Sequence, residues 1–204
     1  MSNFFGISSL NKAITEKDPT KRQQLVQIGC ESLRKDILRA DLNVAVPLLI
    51  KSKAIGAAIK ICVFKSLESD NLDVKASCCE VIREIILAIY DSMLQKATDG
   101  SQIAILTRSY VNALDAKHKQ ELFKNGLDAL KQEPRFLEDI LNIFICLPST
   151  NEQLSDFIAE RFSPSQLGSA LLRFFDDEDR LKSEQSKKSV DLSVRLLRKV
   201  QQDR

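Results

Sequence analysis

Between positions 74 and 96, apolar side chains recur every three or four residues. Val74, Cys78, Val81, Ile82, Ile85, Ile89 and Met93 fall on one side, and Lys75, Glu80, Arg83, Glu84 and Asp91 on the other. That spacing predicts a long amphipathic helix. Its β-branched residues favour a strand by propensity, but the spacing and the length outweigh them. The rest of the chain alternates in the same way between helical apolar spacing and short polar breaks. A first helix is expected over 3–15, broken at Lys17-Asp18-Pro19-Thr20. A second opens at Pro19 or Thr20 and runs to about Arg39, with Leu25, Ile28, Leu33 and Ile37 on one side. Asn43 is an N-cap candidate, and Pro47 then falls in the first turn, where a missing N–H costs little. Positions 54–67 are apolar nearly all round, the signature of a helix buried on every side. After a turn at Ser69-Asp70-Asn71, Asp73 is positioned to cap the next helix. Beyond the turn at Asp99-Gly100-Ser101, helices are expected over 102–114, 116–131, about 134–147, 151–162 and from Ser163-Pro164 onward. The acidic run at 176–179 suits the start of a helix, and the last helix reaches Arg204.

Several helix pairs resemble one another: an apolar helix, a short polar break, then a longer amphipathic helix. Aligning the second members puts Leu25, Cys78, Leu137 and Val190 in register, at spacings of 53, 59 and 53 residues. This exceeds the roughly 40–47 residues of a HEAT or armadillo unit. Extra helices over 44–52, 103–114 and 151–162 fill the difference. The stretch AVPLLIKSKAIGAAIKICVFKSLESDNLDVKASCCEVIREII, from 45 to 86, resembles an armadillo/HEAT repeat. In that pattern an apolar helix ends in a small acidic turn and Asp73-Val74-Lys75-Ala76 opens the next helix. The resemblance implies an all-α, right-handed α-α superhelix of about 9–11 helices that binds proteins. A compact irregular α-helical bundle is the alternative. The chain departs from the pattern in having only Gly56 near the usual bend, and in lacking the Asn and Trp ladder of peptide-binding armadillo proteins. Residues 1–204 are expected to form a single all-helical domain. The final helix has no glycine or proline stop, the expectation for an N-terminal domain of a longer protein.

Composition narrows this reading. Gly and Pro number only 6 and 5 among 204 residues, too few for the turns of a β-sandwich or barrel. The 30 basic and 28 acidic side chains leave a net charge of +2. That balance gives no general attraction to nucleic acid or membrane. Trp is absent and Tyr numbers 2, so few rings are available for base stacking. The 5 cysteines, Cys30, Cys62, Cys78, Cys79 and Cys146, are odd in number and lack a C-x-x-C pair. They read as buried thiols in a reducing compartment. No signal peptide, membrane span or N-x-S/T sequon is present. A cytoplasmic or nuclear location is expected.

Candidate chemistry is sparse. His118 is the sole histidine, set between Lys117 and Lys119 at a polar helix start, so it reads as a solvated residue rather than a general base. Adjacent Cys78 and Cys79 point about 100° apart on a helix and cannot chelate one ion together. The acidic run lacks the spaced ligands and central glycine of a calcium loop. No catalytic, cofactor-binding or metal-binding residue is assigned. The expected function is a non-enzymatic protein-interaction scaffold or adaptor, with protein partners in a complex or a homo-oligomer. The candidate contacts are Lys75, Glu80, Arg83 and Glu84, with Lys187, Lys188, Arg195 and Arg198 on the basic C-terminal helix. The second reading is a nucleic-acid-associated helical repeat protein using that basic helix, whose binding would weaken steeply with salt.

Overall fold

The computed structural model describes residues 2–95 and 100–130, with 163, 165 and 198 as isolated positions. Every regular element among the described residues is helical. The chain divides into two compact units, Met1–Ala129 and Leu130–Arg204.

Helix α1 (Ser2–Thr15) and helix α2 (Pro19–Arg34) form a hairpin across a three-residue break. Asp18 caps α2. Its carboxylate accepts the N–H groups of Thr20 at 2.8 Å and Lys21 at 3.3 Å, and Pro19 occupies the first turn where no N–H is needed. The two helices touch through Gly6 and Gly29. A Cβ on Gly29 would lie 2.7 Å from Leu10 Cδ2, and one on Gly6 would lie 3.0 Å from the Gly29 carbonyl. The buried face of α2 is therefore Val26, Gly29, Ser32 and Leu33. Ile28, expected inside, is exposed, and Leu25 is half-buried. The absence of a side chain at Gly29, rather than the bulk of Ile28, sets which face turns inward.

Helix α2 also ends earlier than its pattern implies. Asp36 leaves the helical region at φ −144°, and Ile37–Arg39 forms a separate 3-10 turn that buries Ile37. Helix α3 (Leu42–Lys51) is capped by Asp41, which accepts the Asn43 N–H at 2.9 Å. The cap is two residues earlier than expected, so Pro47 falls in the second turn and deprives the Asn43 carbonyl of its helical partner. Asn43 is exposed, and water can serve that carbonyl. At its other end α3 closes on Lys53 at φ 63°. Lys53 N–H donates to the Ile50 carbonyl and Ala54 N–H to the Leu49 carbonyl, both at 2.9 Å. This is the paired closure usually built on glycine.

Helix α4 (Ile55–Glu68) buries Ile55, Ala58, Ile59, Ile61, Cys62, Val63 and Ser66. It is covered over most of its circumference, but not all of it, since Lys60 and Leu67 are exposed. The hydroxyl of fully buried Ser66 has no hydrogen-bond partner. Helix α5 (Leu72–Met93) packs against α4 through the expected stripe of Cys78, Val81, Ile82, Ile85 and Ile89. Its cap is Asn71, not Asp73, because the Asn71 amide oxygen accepts the Asp73 N–H at 2.8 Å. Helix α6 (Gln102–Val111) lies against α3 and α5, and helix α7 (Ala116–Leu130) follows. Phe123 of α7 faces Tyr90 with ring centroids 5.6 Å apart. Gly126 of α7 comes so close to α4 and α5 that a Cβ there would lie 3.3 Å from Ile86 Cγ1 and 3.4 Å from Ile59 Cδ1. The core lies between α3, α4 and α5, where Leu49, Ile50, Ile59, Ile82 and Ile85 are fully enclosed.

Three stability outcomes are expected in chemical denaturation. Gly29→Ala destabilises, because an overpacking cost of about 1–3 kcal/mol exceeds a helix-propensity gain of about 1 kcal/mol. Gly56→Ala stabilises, since nothing lies within 4 Å of a Cβ there. Lys53→Gly stabilises by about 1 kcal/mol by relieving the left-handed residue. A loss on Lys53→Gly would refute that account of the α3 terminus.

Candidate interaction surface

The first turns of α5 carry four of the residues singled out from sequence. Glu80 and Arg83 are brought together, 3.7 Å apart and both exposed. Such a pair contributes only a few tenths of a kcal/mol to the fold. Leu72, Ala76, Glu80 and Arg83 fall four, four and three residues apart, so they share one face, and all four are exposed. Lys75 is half-buried off that face. Glu84 serves the fold instead. It accepts the Ser101 hydroxyl at 2.7 Å, while Ser101 in turn caps α6 by accepting the Ala104 N–H at 3.2 Å. The contacts continue in the same sense: Asp91 meets Arg108 at 3.9 Å, and the Ser92 hydroxyl donates to Asn112 Oδ1 at 2.6 Å. Helices α5 and α6 therefore run in the same direction and do not form a hairpin. Arg198 is an exposed helical residue. Lys187, Lys188 and Arg195 lie outside the described residues.

A second feature adjoins Leu72. The Arg34 guanidinium sits 4.8 Å from the Phe64 ring centroid, and Lys65 Nζ donates to the Ala40 carbonyl. These contacts seat the end of α2 and the 37–39 turn against the last turns of α4. At this corner Leu38, Leu67 and Leu72 remain 56%, 45% and 61% exposed. Arg34, Lys35 and Arg39 are exposed on the α2 side, and Glu68, Asp70 and Asp73 on the α4–α5 side. Sequence reasoning missed this corner because it put residue 38 inside a continuous α2 and Leu67 inside a fully buried helix. The available signal was the pair of leucines, 67 and 72, flanking a polar turn.

Elsewhere the ionisable groups serve structure. Asp115 accepts the His118 backbone N–H at 2.9 Å and lies 2.7 Å from His118 Nδ1. These two hydrogen bonds hold its carboxyl below the usual carboxylate range. Both side chains are exposed, and the arrangement caps α7. None of Cys30, Cys62, Cys78 and Cys79 is in a disulfide. Burial pushes Cys30 and Cys78 up to about 11, and Cys62 higher still. Among the described residues, no group of three or more His, Cys, Asp or Glu side chains could hold a metal ion. No helix among them is long and apolar enough to cross a membrane.

Comparison with known protein families, with curated proteins and with solved structures finds no match to this chain.

The thiols give a pH-dependent expectation. Their folded-state pKa values are raised, so the unfolded chain loses its protons first. The stabilisation from keeping them neutral is full below pH 9 and is lost as pH rises toward about 11. Denaturation midpoints should fall over that window. Iodoacetamide at pH 8 should leave Cys30, Cys62 and Cys78 unmodified until the protein is unfolded, as read by peptide mass spectrometry.

Proposed function

We propose that this chain is a non-enzymatic interaction scaffold, built from stacked helices in the armadillo/HEAT manner, that binds other protein through the α2–α4–α5 corner and the adjoining face of α5. The observation that carries this reading is the set of three leucines, Leu38, Leu67 and Leu72, left about half exposed or more beside a well-packed core. Exposed apolar surface of this kind, rimmed by charge, is a feature of association sites. Glu80 and Arg83 extend the surface along α5 as a polar rim. In this reading α1–α2 and α4–α5 are the hairpins of a right-handed α-α superhelix. Helices α3 and α6 are the additional helices that lengthen the repeat. Four cysteines outside any disulfide support a reducing compartment, cytoplasmic or nuclear.

The test compares the full chain with its Leu38→Ser/Leu72→Ser variant, each recovered from the native cell with its bound proteins. A protein partner held in fixed stoichiometry by the wild type and lost by the folded variant is the expected outcome. Equal recovery by both would remove the corner from the reading. Recovery of nucleic acid alone would replace it.

A further inference from the structure

We propose that the occupant of this corner is a second copy of the same chain, paired about a two-fold axis. This inference rests on the interaction reading above and deepens it. The argument is the distribution of charge around the leucines. Lys35 and Arg39 lie on the α2 side, and Glu68 and Asp70 on the side of the α4–α5 turn, all of them exposed. Charges of the opposite sign are fewer on each side: Asp36 and Asp41 against Arg34, Lys35 and Arg39, and Lys65 against Glu68, Asp70 and Asp73. On the basic side, Asp41 accepts the Asn43 N–H at 2.9 Å and Asp36 lies 3.9 Å from Arg39. On the acidic side, Lys65 donates to the Ala40 carbonyl.

A basic edge and an acidic edge along one apolar seam make a surface that matches its own rotated copy. In a two-fold interface the contact of residue i with residue j is repeated as j with i. The basic edge of each copy then meets the acidic edge of the other, twice, while the leucines of both are desolvated together. A partner of single sign, such as an acidic peptide or an anionic lipid surface, would be attracted by one edge and repelled by the other. Three leucines form a small apolar centre, so pairing falls at the weak end of specific interfaces and follows protein concentration.

The experiment is sedimentation velocity on the full chain over a rising concentration series. A reversible monomer–dimer equilibrium is expected, weakened about tenfold or more by Leu38→Ser/Leu72→Ser. Two charge reversals, Lys35→Glu/Arg39→Glu and Glu68→Lys/Asp70→Lys, should each be monomeric alone, with unchanged circular dichroism. Mixed one to one, they should associate, because each supplies the charge the other has lost. The chain carrying all four reversals should dimerise again. A wild type that stays monomeric at every concentration overturns the inference. So does a dimer indifferent to the leucine variant, or a mixture of the two reversals that stays monomeric. A monomeric wild type whose separate protein partner is lost in the leucine variant overturns self-pairing and leaves the interaction reading in place.

Discussion

Helix α4 is apolar around most of its circumference, and the described part of the chain is organised by the need to surround it. Apolar surface left in water costs about 25 cal/mol per Å², so an element with no polar stripe has to be enclosed by several neighbours. Helix α5 covers one side through the stripe that includes Cys78, Ile82 and Ile85, and α3 lies against another. Helix α7 reaches the Ile59 side through Gly126, where the absence of a side chain permits the approach. The end of α2 and its following turn cover the last turns, with Arg34 laid over Phe64. Where this enclosure stops short, at Leu67, the surface becomes apolar.

The sequence exposed the parts of the fold that depend on local spacing. The extents of α1, α5 and α7 follow from helical periodicity and polar breaks, and the observed elements agree with them closely. What periodicity could not reveal was the inward face of α2. Ile28 outranks Gly29 in hydrophobicity, yet Gly29 lies inside because α1 presses against it. Caps were misplaced by two residues at Asp41 and Asn71, since each stretch offers more than one side chain able to accept a helix N–H. The direction of α6 was also hidden. It depends on how the chain returns alongside α5, and that is a tertiary fact.

Legibility of the candidate surface divides along the same line. Glu80 and Arg83 were readable because an amphipathic helix announces its polar side. Glu84 shares that polar side, but the hydroxyl of Ser101, 17 residues further on, claims it for the fold. Leu38 could not be found from hydrophobic pattern, which marks residues that want cover and not those that receive it. Exposure is decided by neighbours distant in sequence.

The place of Gly126 bears on how the chain is made. The cleft between Ile59 and Ile86 that Gly126 occupies is assembled from residues far apart in the order of synthesis. Ile86 leaves the ribosome 40 residues before Gly126, the difference between the two positions. At about 5–20 residues per second, the interval is roughly two to eight seconds. For most of it, once Met93 has emerged, the α4–α5 pair is complete in sequence, yet bare along one apolar edge. The nascent chain therefore passes through a state in which this edge is open to whatever is nearby, and α7 closes it when it emerges.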